Sequence, residues 1–260
     1  MAEKTKKPKK RGRVGRPRGS GADRVYSNLR DRILSLDLKP GSEMEGSQFA
    51  NEYKVSRTLI REAFLRLAAD GLVQLLPNRG ARVSILELSE IPELLEILEV
   101  FGRVTTRWAA ARTTKADLRE IESHRQEWRD VANRRDFARM SEVNNRFHDA
   151  IAVAAGNQYI TNIYRSFLSS YQRLSCTIFS HLSENDQEYE NYYPIIDSEH
   201  GDMLDAIAAG DTVGADMMAQ RHARQIREQI ANVLGCKTAT DFPIDDPVDA
   251  LIQTEGTVKG

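Results

Sequence analysis

The segment 55–71, VSRTLIREAFLRLAADG, constrains the fold of this chain more than any other stretch of its sequence. Its apolar residues recur at the three- and four-residue spacing of an amphipathic helix. Ser56 is suited to cap the N-terminus of this helix, and Gly71 is suited to end it. One face of the helix is therefore predicted to be buried, and it consists of Ile60, Ala63, Phe64, Leu67 and Ala68.

Arg57, Thr58 and Arg61 lie off this apolar face, close to the start of the helix. A helix that enters the major groove of DNA presents its base-reading side chains from this position. An arginine can donate two hydrogen bonds to one guanine, and a threonine can reach a base edge or a phosphate. The alternative interpretation is an ordinary amphipathic surface helix whose arginines are solvated.

The flanking segments favour a winged helix-turn-helix. A short helix is predicted over 46–53, and the next two residues leave room for only a tight turn before the helix described above. Downstream, the β-prone runs 72–76 and 81–85 flank Pro77-Asn78-Arg79-Gly80, which is typical of a hairpin turn. A hairpin with a basic tip beside a DNA-reading helix forms a wing that can meet the DNA backbone or the minor groove.

The segment 23–85 resembles the winged helix-turn-helix of the GntR family of bacterial transcription regulators. The resemblance rests on a pattern like VSRTxxREAxxRLxxxGL followed by PxRGxxV, and it implies double-stranded DNA as a partner. The chain departs from the family at Gly46-Ser47, where many relatives open the second helix with a Glu-Arg pair. The DNA contacts that the resemblance implies are Ser56, Arg57, Thr58 and Arg61, with Arg79 and Gly80 at the wing.

The charge of the chain is distributed very unevenly. The 260 residues carry a formal net charge of −1, yet residues 1–22 contain nine Lys or Arg and one Glu, which leaves −9 for the other 238 residues. A basic arm joined to an acidic body favours a nucleic-acid contact by one end of the molecule. With 40% hydrophobic residues, the chain can form one large domain or two modest ones.

Residues 1–22 are predicted to be a disordered basic arm, because they are rich in Lys, Arg, Gly and Pro and poor in apolar residues. Within the arm, Arg16 and Arg18 lie in the sequence Gly-Arg-Pro-Arg-Gly, which resembles the core of an AT-hook. Such a segment fits the narrow minor groove of A·T-rich DNA, whose negative potential attracts arginine. Alternatively, the arm binds phosphates without sequence preference, which makes affinity depend steeply on salt.

The sequence shows neither a membrane span nor a secretory signal. No apolar run approaches the roughly 20 residues that a membrane helix needs. The basic start lacks the apolar core of a signal peptide, so we expect a cytoplasmic location and no membrane partner. Cys176 and Cys236 lack CxxC spacing and predict no disulfide framework, which is compatible with a reducing compartment.

From Ser89 onward the sequence predicts helices only, with Ser89 as the cap of the first one. Short connections between these helices predict an antiparallel bundle over 89–235, followed by a flexible tail at 236–260. The predicted fold class is therefore mostly α, with a winged helix-turn-helix domain at 23–86 followed by an antiparallel all-α helical bundle. The other predicted helices with defined ends are 23–36, 115–132, 137–155, 159–182, 194–209 and 212–234.

His148, His200 and His222 each lie on the apolar face of a predicted helix. Asn144 precedes His148 by one helical turn, so the two side chains are predicted to point in the same direction. Three imidazoles and one oxygen ligand inside a bundle would suit a divalent ion such as Zn²⁺, with one position open for water or a ligand. The alternative is that the histidines are hydrogen-bonded core residues, since spacing alone specifies metals weakly.

The region from about 89 to 234 resembles the FCD effector domain of the FadR-type GntR regulators. The matching motifs are NxxFHxAIxxAAGN, EHxxMLxAIxxGD and a final RH. The resemblance implies a divalent metal, Zn²⁺ or else Ni²⁺ or Mn²⁺, that helps to hold a small organic acid effector. The ligands that it implies for this metal are Asn144, His148, His200 and His222.

Two departures from the family bear on metal and ligand binding. Asn144 stands where relatives more often have Asp, which removes one negative charge and would lower the affinity for a metal. Relatives often place a carboxylate-binding arginine on the first effector-domain helix, whereas the aligned residue here is Leu98. Arg103 and Arg107 on the same helix are candidates to bind the effector instead, and the alternative is that both are solvated.

The sequence therefore predicts a ligand-responsive transcription regulator that forms a homodimer and binds a two-fold-related operator. Repression that is released by ligand is the common mode in the family that it resembles. The alternative is a metal-dependent hydrolytic enzyme that uses the histidine cluster to activate water. The enzyme hypothesis lacks support, because the sequence has no HExxH, no paired ExxH carboxylate motif and no nucleophile motif. A third hypothesis, an architectural DNA-binding protein, leaves the large helical domain unexplained.

Overall fold

The computed structural model describes residues 20–77, 79–85 and 87–235. This part of the chain forms a small winged domain followed by a bundle of long helices, as the sequence predicts. Most of the predicted basic arm, including Arg16 and Arg18, and the predicted tail at 236–260 lie outside the described residues. Within the described ranges, no helix is long and apolar enough to cross a membrane.

The winged domain packs helices against a small antiparallel sheet. Its elements are α1 (Ser20–Leu34), β1 (Glu43–Met44), α2 (Gly46–Tyr53), α3 (Arg57–Ala69), β2 (Val73–Leu76) and β3 (Gly80–Val83). The strand order is β1-β3-β2, and β2 pairs with β3 as the predicted hairpin. The two-residue strand β1, which the sequence analysis did not predict, pairs with the other edge of β3. This added strand ties the wing to the segment just before α2.

The core of the winged domain lies between α1, α3 and the sheet. Val25, Leu29 and Ile33 of α1 are fully buried in the same cluster as the apolar face of α3. The Ser56 side chain accepts a hydrogen bond from the backbone amide of Leu59, as predicted for the cap of α3. The buried face and the cap together fix which side of α3 is left for other contacts.

Gly80 is required at the start of β3 by its backbone conformation and by the close approach of β1. Its φ is +105°, a region that residues with a Cβ rarely adopt. A Cβ at this position would lie only 2.2 Å from the carbonyl oxygen of Met44. The wing therefore needs glycine here for packing, independently of any contact with DNA.

The helical domain begins with a short 3-10 helix at Leu88–Glu90. It continues with α4 (Ile91–Arg112), α5 (Lys115–Asn133), α6 (Phe137–Ala154), α7 (Gln158–Ser183), α8 (Asp186–Ala209) and α9 (Thr212–Leu234). The side chains of Thr114, Asn157 and Asp211 cap α5, α7 and α9 by accepting hydrogen bonds from backbone amides. Helix α4 packs against α6, α7, α8 and α9, so it lies at the centre of the described bundle.

Helices α1 and α4 begin elsewhere than the sequence predicts. Helix α1 starts at Ser20, so residues 20–22 belong to a helix and not to the predicted arm. Ser89 does not cap α4, because it lies inside the 3-10 helix. That short helix has its own capping box, in which Glu87 and Glu90 bond reciprocally to backbone amides. A capping box is a more complete solution than one serine hydroxyl, since it satisfies two backbone donors.

Pro194 does not begin α8, contrary to the prediction. The helix starts at Asp186 and contains Pro194 in its interior. A proline inside a helix removes one backbone hydrogen bond, which is why the sequence suggested a boundary there. Tyr189 and Tyr192, which precede the proline, are buried in the core with 3% and 4% exposure. Their burial stabilises the turns before the proline, so tertiary packing decides where α8 begins.

The two domains contact each other through α1 and α7. The Cys176 thiol on α7 donates a hydrogen bond to the carbonyl oxygen of Leu34, at the end of α1, over 3.2 Å. Nη1 of Arg173 donates to the carbonyl oxygen of Ser84, just after β3, over 2.8 Å. Helix α7 therefore touches both the first helix of the winged domain and the segment that leaves the wing.

We expect Gly80→Ala to lower the unfolding midpoint of the winged domain much more than Gly71→Ala. Both glycines have positive φ, but a Cβ at Gly71 would meet no atom within 4 Å. The backbone strain common to both variants costs about 1–2 kcal/mol, and only Gly80→Ala must also displace β1. Differential scanning calorimetry measures the two midpoints, and equal destabilisation would contradict the packing role of Gly80.

Candidate metal centre and DNA-binding surface

His148, His200 and His222 converge at one point in the helical domain, where α6, α8 and α9 meet. Their ring centroids are 5.4 Å apart for His148 and His200, 5.2 Å for His148 and His222, and 5.0 Å for His200 and His222. One ring nitrogen from each histidine lies within 4.8 Å of those of the other two. The three rings are therefore candidates to bind one ion together.

The surroundings of this histidine cluster suit a metal ion. His200 has 0% exposure, and neither of its ring nitrogens has a hydrogen-bond partner in the described part of the chain. Burial and the neighbouring imidazoles hold the pKa of His200 well below its usual value, and burial and His222 do the same for the pKa of His148. Both rings are therefore neutral, the form that binds metals. The interpretation as hydrogen-bonded core residues does not account for His200.

Glu199, which the sequence analysis did not single out, orients His222. Its Oε2 lies 2.9 Å from Nδ1 of His222, and both side chains are buried. A carboxylate that accepts a hydrogen bond from Nδ1 leaves Nε2 with the lone pair, as is common for histidines that bind metals. The Glu-His pair at 199–200 is visible in the sequence, but only the packing of α8 on α9 shows that the glutamate contacts the other histidine.

Asn144 lies on α6 one turn before His148 and is buried, with 3% exposure. It remains the predicted oxygen ligand, at a position next to the cluster along the same helix. Another histidine of the helical domain, His124 on α5, lies outside the cluster. Its Nε2 lies 3.3 Å from Oε1 of Glu120, one turn earlier on α5. The structure thus brings together the three histidines that the resemblance implies, and His124 is not among them.

A cavity of about 60 Å³ adjoins the cluster, with His148 and His222 on its wall. Neither Arg103 nor Arg107, the predicted effector-binding residues, lies on this wall. Instead, Arg103 is buried and forms a two-point ion pair with Asp216, with distances of 3.0 Å from Nε to Oδ1 and 2.9 Å from Nη2 to Oδ2. The predicted contact between these arginines and an effector thus has no counterpart in the cavity, and Arg103 instead joins α4 to α9.

Glu99 is a charged residue on the cavity wall that the sequence analysis missed. Its Oε2 accepts a hydrogen bond from Nη2 of Arg227 over 2.8 Å. Burial raises the pKa of Glu99, whereas the guanidinium groups of Arg227 and Arg103 oppose this shift. The sequence does contain an indication of this position, because Glu99 follows Leu95 by four residues and so interrupts the apolar face of α4.

Four of the six predicted DNA contacts of α3 and the wing line one groove of about 940 Å³. Arg57, Arg61, Arg79 and Gly80 lie on its wall, whereas Ser56 and Thr58 are exposed at the start of α3 and lie off it. The residues Gly46 and Ser47, where the chain departs from the family pattern, also line this groove. Gly46-Ser47 in place of the Glu-Arg pair of many relatives therefore changes the chemistry of the groove wall itself.

The arginines around this groove differ from other arginines of the winged domain in their ion pairing. Arg57, Arg61 and Arg79 are exposed, and no ion pair joins their guanidinium groups to the residues that the structure describes. In contrast, Arg66 pairs with Asp23 over 2.6 Å, and Arg82 pairs with Glu43 over 2.8 Å. The groove wall also carries Glu43, which is paired with Arg82, and Glu45. Three arginines without an ion pair around the same groove favour a phosphate-binding or base-reading surface.

Both domains match known families. The FCD domain family matches residues 93–225, and the family described as bacterial regulatory proteins, gntR family, matches residues 21–83. The chain belongs to the GntR family of regulators with an FCD domain. It is accordingly a DNA-binding transcription regulator and not an enzyme, which removes the hydrolytic alternative that the histidine cluster left open.

The regulator is similar to characterised repressors along most of its length. It is 22% identical over 209 residues to the HTH-type transcriptional repressor RspR of Escherichia coli K12, covering 80% of this chain and 88% of that protein. It is 29% identical over 217 residues to the galactonate operon transcriptional repressor of the same organism, covering 76% and 91%. Both similarities extend across the two domains, so the order of domains is shared.

Solved structures show the same fold. Escherichia coli McbR/YncC matches with a TM-score of 0.69 and 19% identity, over 82% of this chain and 98% of that one. A transcriptional regulator from Rhodococcus sp. RHA1 matches with a TM-score of 0.66 and 23% identity, over 83% and 98%. At these identities the likeness establishes the architecture of the regulator and not its ligand.

We expect Asp216→Ala to destabilise the helical domain by about 3–5 kcal/mol, because it leaves the charge of Arg103 buried without its two-point partner. Asp205→Ala, on the exposed side of α8, is a matched control that should have little effect. Urea denaturation followed by tryptophan fluorescence reports on this domain specifically, since Trp108 and Trp128 both lie in it. Similar midpoints for the two variants would show that the ion pair contributes little.

Proposed function

We propose that this regulator is a repressor whose affinity for its operator changes when a small organic acid binds beside a divalent metal in the helical domain. The observation that carries this proposal is the cluster of three histidines next to a cavity, in which the buried His200 has two ring nitrogens without a partner among the described residues. Buried polar groups without partners are costly, so a bound group that satisfies them is expected. The repressors similar to this chain support the assigned sign of regulation.

In this proposal the regulator binds DNA as a homodimer on a two-fold-related operator. The side chains that contact DNA are Ser56, Arg57, Thr58 and Arg61 at the start of α3, together with Arg79 and Gly80 at the wing. Arg16 and Arg18 of the arm add contacts in a minor groove or with phosphates. The three unpaired arginines around the groove support this assignment.

Arg57→Ala and Arg61→Ala should each weaken binding to the operator by about 1–3 kcal/mol, because each removes a base-reading side chain. Binding to random DNA should weaken less. Arg119→Ala, an exposed arginine of α5, is the charge-matched control and should leave both affinities nearly unchanged. Fluorescence anisotropy at fixed salt measures all of these affinities, and equal losses on operator and random DNA would reject a base-reading role.

The metal site in this proposal consists of His148, His200 and His222, with Asn144 as an oxygen ligand. The donor set of three imidazoles suits Zn²⁺, with Ni²⁺ or Mn²⁺ as alternatives. A divalent ion held there supplies positive charge that attracts a carboxylate. Glu199 contributes by holding the ring of His222 so that Nε2 can face the cluster.

We expect His200→Ala to abolish bound metal while the winged domain remains folded. His124→Ala is the control, because His124 lies outside the cluster and should leave the metal content unchanged. Elemental analysis of the purified variants gives the stoichiometry, and operator binding of the metal-free protein reports on the winged domain. Full metal content in His200→Ala would reject the site.

Helix α7 connects the proposed effector site to the DNA-binding domain. Leu168 and Tyr171 of α7 lie on the cavity wall. Further along α7, Arg173 bonds to the Ser84 carbonyl, and Cys176 bonds to the Leu34 carbonyl. A ligand that shifts α7 would therefore change how the winged domain is held, and operator affinity would change by the preference of the ligand for one arrangement.

A further inference from the structure

The cavity beside the histidine cluster has an unusual charge for a site that binds an organic acid. No lysine or arginine lies on the wall that the described residues form. Among the described residues of this wall, Glu99 is the one Asp, Glu, Lys or Arg, and its partner Arg227 lies off the wall. A ligand in this cavity therefore meets the carboxyl group of Glu99 before it meets the guanidinium group of Arg227.

The same wall carries buried phenol groups. Tyr164 and Tyr171 line the cavity with 4% and 6% exposure, and neither hydroxyl bonds to any residue within the described ranges. The hydroxyl of Tyr164 is next to Gly102, since a Cβ there would lie 3.4 Å from it. Each hydroxyl can donate a hydrogen bond to a ligand or water in the cavity, or accept one from it. A polar ligand thus finds hydrogen-bonding groups at the Glu99 side of the cavity as well as at the histidines.

The size and the remaining surface of the cavity limit the ligand further. A volume of about 60 Å³ accommodates roughly four to six water-sized groups at about 10–15 Å³ each. Leu95, Leu98, Leu168 and Ile226 supply apolar surface between the polar groups. The ligand should therefore have a short hydrocarbon chain between two polar ends.

We propose that the cavity selects a short monocarboxylic acid whose other end carries a hydrogen-bond donor, either a hydroxyl or an amino group, and that Glu99 sets this specificity. This inference rests on the proposed effector function and names the class of effector. The carboxylate of the ligand lies at the metal-binding histidines, and the donor end bonds to Glu99. A dicarboxylate of equal length is disfavoured, because its second carboxylate would lie beside the carboxyl group of Glu99.

A matched three-carbon series tests this specificity on the full chain loaded with Zn²⁺. Isothermal titration calorimetry compares 3-hydroxypropionate and 3-aminopropionate, which have a donor, with propionate, which has none, and with malonate, which has a second carboxylate. We expect at least one of the two donor-bearing acids to bind about tenfold or more tightly than malonate, a difference of about 1.4 kcal/mol. Either malonate or propionate binding as tightly as both of them would overturn the inference.

Glu99→Gln tests the residue itself, because it keeps the size of the side chain and removes its negative charge. The preference for the donor-bearing acid over malonate should fall about tenfold, back toward equal affinity. Glu96→Gln, an exposed position on α4, is the control and should retain the preference. An unchanged preference in folded Glu99→Gln protein would remove Glu99 as the determinant. If that variant does not fold, the wild-type series alone decides the class of ligand.

Operator binding separates failure of this inference from failure of the proposed function. If malonate binds best and releases the operator, the effector function stands and the specificity assigned to Glu99 is wrong. If none of the four acids binds and none changes operator affinity, although metal is present in full stoichiometry, the inference is wrong for this cavity and the effector function loses its support. Tight binding of a donor-bearing acid that also changes operator affinity supports both.

Discussion

The convergence of three imidazole rings where α6, α8 and α9 meet is the constraint on which the candidate site depends. Burial and neighbouring imidazoles lower the pKa of His148 and of His200, so these two rings remain neutral. Glu199 bonds to one ring, whereas His200 has no bond to the described protein. Packing that leaves both ring nitrogens of His200 without a partner among the described residues lowers the stability of the fold. Such a loss of stability is typical of a binding site.

The polar groups around the cluster are arranged in pairs that join α4 to α9. Arg103 bonds to Asp216, and Arg227 bonds to Glu99. Buried pairs of this kind add little net stability, but removing one partner is costly, so they fix how the two helices are placed. One consequence is that the arginines are occupied by carboxylates of the protein and are not on the cavity wall. The charge of the cavity wall therefore depends on this pairing more than on how many arginines α4 contains.

Much of the winged domain could be predicted from the sequence, because its signals are local. The apolar spacing and the Ser56 cap predict α3, and the turn sequence predicts the hairpin. Strand β1 escaped prediction, since two residues carry no periodicity and pair with a strand almost forty positions away. The start of α8 was wrong for a similar reason, because burial of Tyr189 and Tyr192 outweighs the boundary that Pro194 suggests.

By itself, the sequence determined the order of the two domains, the face that α3 leaves exposed, and the histidines that lie on apolar faces. Each of these depends on spacing within one helix or on a contiguous motif. Only the tertiary structure decided that Glu199 contacts His222, that Arg103 is paired with Asp216, and that Glu99 lies on the cavity wall. These facts depend on the rotation of one helix against another, which is set by the packing of the whole bundle and not by the residues of any single helix.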